Sequence, residues 1–261
     1  MLSGPALKLA QELLTGQTEI KLQHIPQTRA GDELFAFLLF KLQHGREPTN
    51  NLIFNDVLYH LKTTDEILDP LRVFVSDKEF VKIFIKSVVG DEYNVPTLGI
   101  IKEPNEIETF EFPNSCCIKP THASGEAILR LNGEYLDTER MKKWFSLNFY
   151  SVGREANYKN LRPKIIVEPL LFGRNDAEDY KVFCYKGKAK MIQVHVDRFT
   201  NHSNAIFDTN WNLFDFSLNY PKTKRNIPRP ENIYEMILIA ERIASYFDFI
   251  RVDIYSDGMT C

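Results

Sequence analysis

The chain has 261 residues, a mass of 30.4 kDa, 44% hydrophobic and 26% charged residues. These values exclude a disordered tail, a collagen-like rod and a multi-span membrane protein. The 32 Lys+Arg against 35 Asp+Glu give a net charge of −3, which argues against a global affinity for nucleic acid.

The four cysteines, Cys116, Cys117, Cys184 and Cys261, form no C-x-x-C pair. Two of them are neighbours in sequence, poor geometry for a mutual disulfide, so they read as reduced thiols. Met1 to Pro5 lack a basic segment leading into an apolar run, and Leu34 to Phe40 is far shorter than the ~20 residues of a membrane-spanning helix. The expectation is a cytoplasmic protein without stable membrane insertion.

In chain order, Leu7, Leu9, Leu13 and Leu14 suggest a short helix, with Gly16, Pro26 and Gly31 as breakers. Asp32 to Leu42 has helical spacing and Gly45 is a candidate C-cap. Asn55 or Asp56 is a candidate cap for a helix carrying Val57, Leu58 and Leu61. The first 75 residues therefore read as helical and peripheral. Asp77 to Val89 predicts a capped helix with Phe80, Val81, Phe84 and Ile85 on one face. Pro96 to Ile101 reads as a loop entering a strand, and Cys116 to Ile118 as a short strand ending in Lys119-Pro120. Ile128, Leu129 and Leu131 before Asn132-Gly133 suggest a hairpin. Met141 to Tyr150 is helical in pattern, and Lys164 to Leu171 reads as a buried strand. Tyr180–Tyr185 and Ala189–Val196 flank Lys186-Gly187-Lys188, a hairpin signal. Ala205–Asp208 and Trp211–Phe216 flank a second. Glu231 to Phe247 has the clearest apolar stripe, and Phe249 to Tyr255 forms a last strand. Helices, then mixed segments, then hairpins with one packing helix give an α+β class.

The chemistry-bearing residues are scattered. Lys119 ends a strand and precedes Thr121-His122-Ala123-Ser124-Gly125, a loop of small and hydroxylated residues that suits phosphate, with charge from the ammonium and directed donors from the loop. The Walker spacing is absent. Lys78 stands at a helix start. Taken singly, either lysine reads as a solvated surface residue. Glu168-Pro169-Leu170-Leu171 follows an apolar strand and can present backbone donors and acceptors to a planar base, where proline loses only its donor. Arg251 and Asp253 share a strand face, so Asp253 suits either a hard cation or a structural ion pair. His195, Asp197 and His202 contain metal-ligating types, but His202 lies past a turn, and Asp197-Arg198 reads better as a substrate contact or an ion pair.

Taken in order, these segments resemble the TupA-like ATP-grasp family. The carrying stretches are Asp77-Lys78-Glu79-Phe80-Val81-Lys82, Cys117 to Gly125, Val152-Gly153-Arg154-Glu155 and Ile165 to Glu168. The most specific are Asp179-Tyr180-Lys181-Val182-Phe183-Cys184, Val196 to His202 and Arg251-Val252-Asp253. The resemblance implies two α+β subdomains around a nucleotide cleft, 76–167 with the phosphate loop and 168–261, preceded by a helical region over 1–75. It further implies that Lys78 and Lys119 reach the ATP phosphates and that Thr121, Ser124 and Gly125 close over them. By the same resemblance Glu168, Pro169 and Leu171 would form the adenine hinge, Asp179 or Lys181 would lie near ribose or phosphates, and Asp253 would hold Mg²⁺. Arg251 and Arg198 would face the developing negative charge. The implied activity is an ATP- and Mg²⁺-dependent ligase joining a carboxylate to an amine through an acyl phosphate, in cell-surface polysaccharide biosynthesis.

Three departures from the family pattern stand out. Ala123 and Glu126 occupy glycine positions, and Glu126 brings negative charge toward phosphate unless it turns away. Lys82 stands where arginine is usual. After Ser256-Asp257-Gly258 no returning strand carries a second metal carboxylate, so the expectation is a shortened final sheet with an open edge on the Phe249–Tyr255 strand. A sugar-transfer enzyme of the same pathway, or a catalytically impaired nucleotide-binding homologue, are the alternatives.

Overall fold

The computed structural model describes residues 2–14, 21–51, 53–173, 178–197, 200–259 and 261. Four helices come first: α1 (Gly4–Leu14), α2 (Arg29–His44), α3 (Phe54–Thr63) and α4 (Pro70–Ser76). They are followed by α5 (Phe80–Val88), then strands β1 (Gly99–Ile101), β2 (Cys116–Pro120) and β3 (Ile128–Arg130). Two short helices, α6 (Thr138–Trp144) and α7 (Tyr150–Gly153), lead into β4 (Ile165–Glu168). The remainder is β5 (Glu178–Tyr185), β6 (Lys188–Val196), β7 (Ser203–Phe207), α8 (Ile233–Ala244) and β8 (Phe249–Ser256).

The strands make two antiparallel sheets with the orders β1-β4-β2-β3 and β7-β6-β5-β8. Alternation sorts each sheet into two faces. In the first, Ile101, Cys116, Ile118, Ile165 and Val167 pack with Met141 and Trp144 of α6. Cys117, Lys119 and Glu168 fall on the other face. In the second, Tyr180, Val182, Cys184, Ile192, Val194 and Val252 pack on Met236, Ala240 and Ile243 of α8, with Phe84 of α5 joining them. Its opposite face carries Asp179, Lys181 and Phe183 of β5, paired with Tyr255, Asp253 and Arg251 of β8. The class is α+β, as the patterning implies.

The Lys186-Gly187 turn bears out its hairpin, with positive φ at both residues (48° and 71°), the twist that a two-residue connection needs. Gly45 ends α2 at φ 63°, and its N–H bonds the Lys41 carbonyl. Asp77 caps α5, accepting from the Glu79 N–H at 2.8 Å.

Several local readings are corrected by tertiary context. Gly31 is no breaker: it sits in the first turn of α2, where a Cβ would meet the Pro26 carbonyl oxygen at 2.0 Å. Asp56 does not cap α3; fully buried inside its first turn, it accepts from Arg46 Nη1 and the Thr49 hydroxyl, both at 3.0 Å. The Arg46 guanidinium therefore holds its carboxyl well below the usual range, against the opposing pull of burial. Asn132-Gly133 turns the chain, but the turn leads into α6, and β3 pairs backwards with β2. The 141–150 segment is two short helices rather than one. The 205–216 pair closes through a single Phe207–Leu213 bridge rather than a second strand.

The N-terminal helices are tied to the rest of the chain by buried hydrogen bonds. Buried Arg154 donates to Asp32 Oδ1 of α2 at 3.1 Å and to the Ile25 carbonyl at 2.6 Å. The Tyr150 hydroxyl donates to the same Asp32 oxygen at 2.6 Å. Arg72 of α4 donates twice to the Phe249 carbonyl of β8 at 3.1 Å.

Because the Pro26 carbonyl is also held by Arg154 at 3.1 Å, it has little room to yield to a methyl group. Gly31→Ala is expected to cost about 1–3 kcal/mol, read as a lowered urea midpoint at unchanged slope.

Candidate functional site

The polar faces of the two sheets border one cleft of about 530 Å³, within the range of small-molecule sites. The first sheet contributes Cys117 and Lys119 from β2 and Glu168 from the end of β4. Lys78 from the start of α5, Ser124 and Gly125 from the loop after β2, and Pro169 and Leu171 from the segment after β4 complete that side. The second sheet contributes Asp179, Lys181, His195, Arg251, Asp253 and Tyr255. Residues from seven separate stretches of sequence thus meet in one place.

Glu168 organises the first side. Only 5% exposed, its carboxylate pairs with Lys119 Nζ at 2.7 Å and with Lys82 Nζ of α5 at 2.6 Å. Burial raises a carboxyl, but the two ammonium groups outweigh it and hold Glu168 below its ordinary range. Burial likewise acts to depress Lys119, and the Glu168 charge overturns this and raises it. Lys78 Nζ instead donates to the Pro120 and Ala123 carbonyls. Burial and the nearby Lys119 charge push it down to about 8.

Residues of the loop after β2 divide. Ser124 and Gly125 line the cleft, Gly125 at φ 84° with nothing near its Cβ position. Thr121 does not: it is fully buried, and its hydroxyl donates to Asp77 Oδ2 at 3.2 Å. Glu126 turns toward α6, where it accepts from Arg140 at 2.7 Å and from the Trp144 indole at 3.1 Å. The repulsion expected of a carboxylate in this loop is thereby offset.

The second side is a charged lattice. Lys181 Nζ bridges Asp179 at 2.8 Å and Asp253 at 3.0 Å, the latter directly opposite it on β8. Arg251 donates to Asp253 twice, at 2.6 and 2.8 Å. Burial acts to raise Asp253, and Arg251 and Lys181 overcome it, so its carboxyl stays low. The ion pair and the cation-ligand readings of Asp253 are therefore compatible: it is ionised and faces the cleft. Among the described residues no group of three or more His, Cys, Asp or Glu is poised to hold a metal alone. Asp179 and Asp253 still fit Mg²⁺, which needs only one or two carboxylates when phosphates and water complete its shell.

His195 and His202 face each other through Nδ1 and Nε2 at 2.7 Å, and His202 lies against the Tyr220 ring at 3.7 Å between centroids. Asp197 leaves the strand at φ 52° and pairs with Arg225 at 2.9 Å, so it does not share a strand face with His195. These features argue against a metal on this trio. Arg198 lies outside the described residues. Tyr255 was open to sequence reasoning, because it alternates with Asp253 and Arg251. Lys164, buried and paired with Asp77 at 3.1 Å, carries no sequence signal.

A sequence-family profile described as TupA-like ATPgrasp matches residues 57–260. The chain belongs to this family. Comparison with curated proteins gives no significant match. Among solved structures the chain is similar to the ATP-grasp ligase PsnB with its minimal precursor, at 14% identity and TM-score 0.37 over 73% of this chain and 50% of that one. It is similar to D-alanine–D-alanine ligase from Helicobacter pylori at 14% identity and TM-score 0.37, over 72% of this chain and 53% of that one. The corresponding Bacillus anthracis ligase, complexed with ATP, gives 14% and 0.37 over 72% and 54%. The chain thus spans about half the length of these structures. No helix among the described residues is long and apolar enough to cross a membrane.

Glu168→Gln strands two ammonium groups in a half-buried setting and is expected to cost about 3 kcal/mol. The depressed Glu168 carboxyl contributes stability above the usual glutamate range near pH 4.3, lost as pH falls below it. The variant should therefore lose stability more gradually between pH 5 and 3 than the parent, in denaturant melts across that range.

Proposed function

We propose that this cleft binds ATP with Mg²⁺ and that the chain serves a ligase that activates a carboxylate as an acyl phosphate and passes it to an amine. The observation that supports the reading is convergence. Lys119 and Ser124-Gly125, the Pro169–Leu171 segment and the Asp179–Lys181–Asp253–Arg251 lattice line one cleft between two polar sheet faces. We further propose the division 1–75, 76–167 and 168–261, with the nucleotide between the last two.

In this reading Pro169 and Leu171 offer the base a carbonyl and an N–H along the half-buried backbone after β4. Lys119 supplies charge to the phosphates, already oriented by Glu168. Asp179 and Asp253 are the residues that would hold Mg²⁺, which supplies charge neutralisation to the phosphates when bound. Arg251 and Lys181 hold the Asp253 carboxyl low and face the region where negative charge grows during transfer. Phosphoryl transfer depends mainly on such positioning and electrostatic stabilisation. Arg198, in the Asp197 to His202 run, is proposed as a further contact to that charge. The proposed setting, drawn from the family resemblance, is cell-surface polysaccharide assembly, with a carboxylate-bearing substrate.

Calorimetry of ATP binding with and without Mg²⁺ tests this. ATP should bind the parent chain more tightly with Mg²⁺. Asp253→Asn should remove most of the Mg²⁺ dependence while sparing binding without metal. Lys119→Ala should weaken ATP about tenfold or more, with circular dichroism reporting a retained fold. Absence of ATP binding in the parent chain would overturn the reading.

A further inference from the structure

The loop between β2 and β3 owes its shape to the dipeptide that opens α5. The Lys78 backbone N–H donates to the Thr121 carbonyl at 3.2 Å. Its ammonium donates to the Pro120 carbonyl at 2.8 Å and to the Ala123 carbonyl. Asp77, fully buried next to it, accepts from the Thr121 hydroxyl at 3.2 Å and pairs with Lys164 at 3.1 Å. Lys164 in turn receives the Thr121 N–H on its carbonyl at 2.9 Å. A lysine ammonium has three protons, and Lys78 commits two of them to loop carbonyls on either side of Thr121. A side chain that served only as a phosphate ligand would have no reason to chelate the backbone of the loop beneath it.

We infer that Lys78 is a positioning residue, which clamps the 120–125 loop so that Ser124 and Gly125 are preset toward the cleft. The consequence for nucleotide rests on the ATP reading above; the clamp itself does not. Two carbonyls that would otherwise repel each other and drift toward water share one cation. Preset loop donors spare the ligand the entropy of ordering the loop.

The test is amide hydrogen exchange on the full chain without nucleotide. Lys78→Met keeps the aliphatic stem and deletes all three donors. Exchange over residues 121–127 should accelerate about tenfold or more, with β4 and β5 unchanged. Thr121→Val should give a smaller acceleration of the same loop. In calorimetry, Lys78→Met should weaken ATP and leave adenosine unchanged, a split that a general loss of structure would not give. Unchanged loop exchange in Lys78→Met, with ATP weakened, would overturn the clamp and make Lys78 a phosphate ligand only. If Lys78→Met fails to fold, Lys78→Gln keeps only an uncharged two-proton amide on an arm one bond shorter; an unaccelerated loop in that folded variant overturns the inference equally. Failure of the parent chain to bind ATP would sink the nucleotide reading while leaving the exchange result to decide the clamp.

Discussion

One carboxylate holds the first half of the cleft together. Glu168 ends β4, yet its two partners come from elsewhere: Lys119 from the neighbouring strand and Lys82 from α5. A buried pair of this kind is poor evidence for net stability, since desolvation consumes much of the Coulomb gain. Its value here is geometric. It fixes α5, which Lys78 immediately precedes, relative to the strand that carries Lys119, and so sets the spacing of both lysines around the loop after β2. Two ammonium groups on one carboxylate leave the trio with a net positive charge, available to an anion.

The second half follows from alternation. In β5 and β8, every other residue is apolar and packs on α8, so the intervening residues must face away from that core. Among them are Asp179, Lys181, Arg251, Asp253 and Tyr255, and the antiparallel register sets Lys181 opposite Asp253. A one-residue slip of β8 would send its charges into the core and its valine and isoleucines into the cleft. The hydrophobic core and the charged lattice therefore specify each other.

How far the sequence could carry this depended on whether the deciding contact was local. Gly45, Asp77 and the Lys186-Gly187 turn act within a few residues of themselves, and each was readable. The Arg251–Asp253 pair was readable because a strand repeats every two residues. The roles of Asp56, Gly31 and Thr121 were not, since each is set by a partner out of pattern: Arg46, the Pro26 carbonyl and Asp77. The family motifs named Lys78 and Lys119 as equals. Only the fold separates them, one pinned by a carboxylate and the other by backbone carbonyls.

The contact between Glu126 and the Trp144 indole at 3.1 Å turns α6 into a built-in optical probe. The chain has two tryptophans, and their surroundings differ. Trp211 stacks on Phe207 at 4.2 Å beside the core of the second sheet, where its emission follows the integrity of that sheet. Trp144 has its N–H on a carboxylate that belongs to the loop, so its emission follows the position of that charge. A signal from Trp144 that moves while Trp211 stays constant would distinguish a shift of the loop from a loss of fold, without any added label.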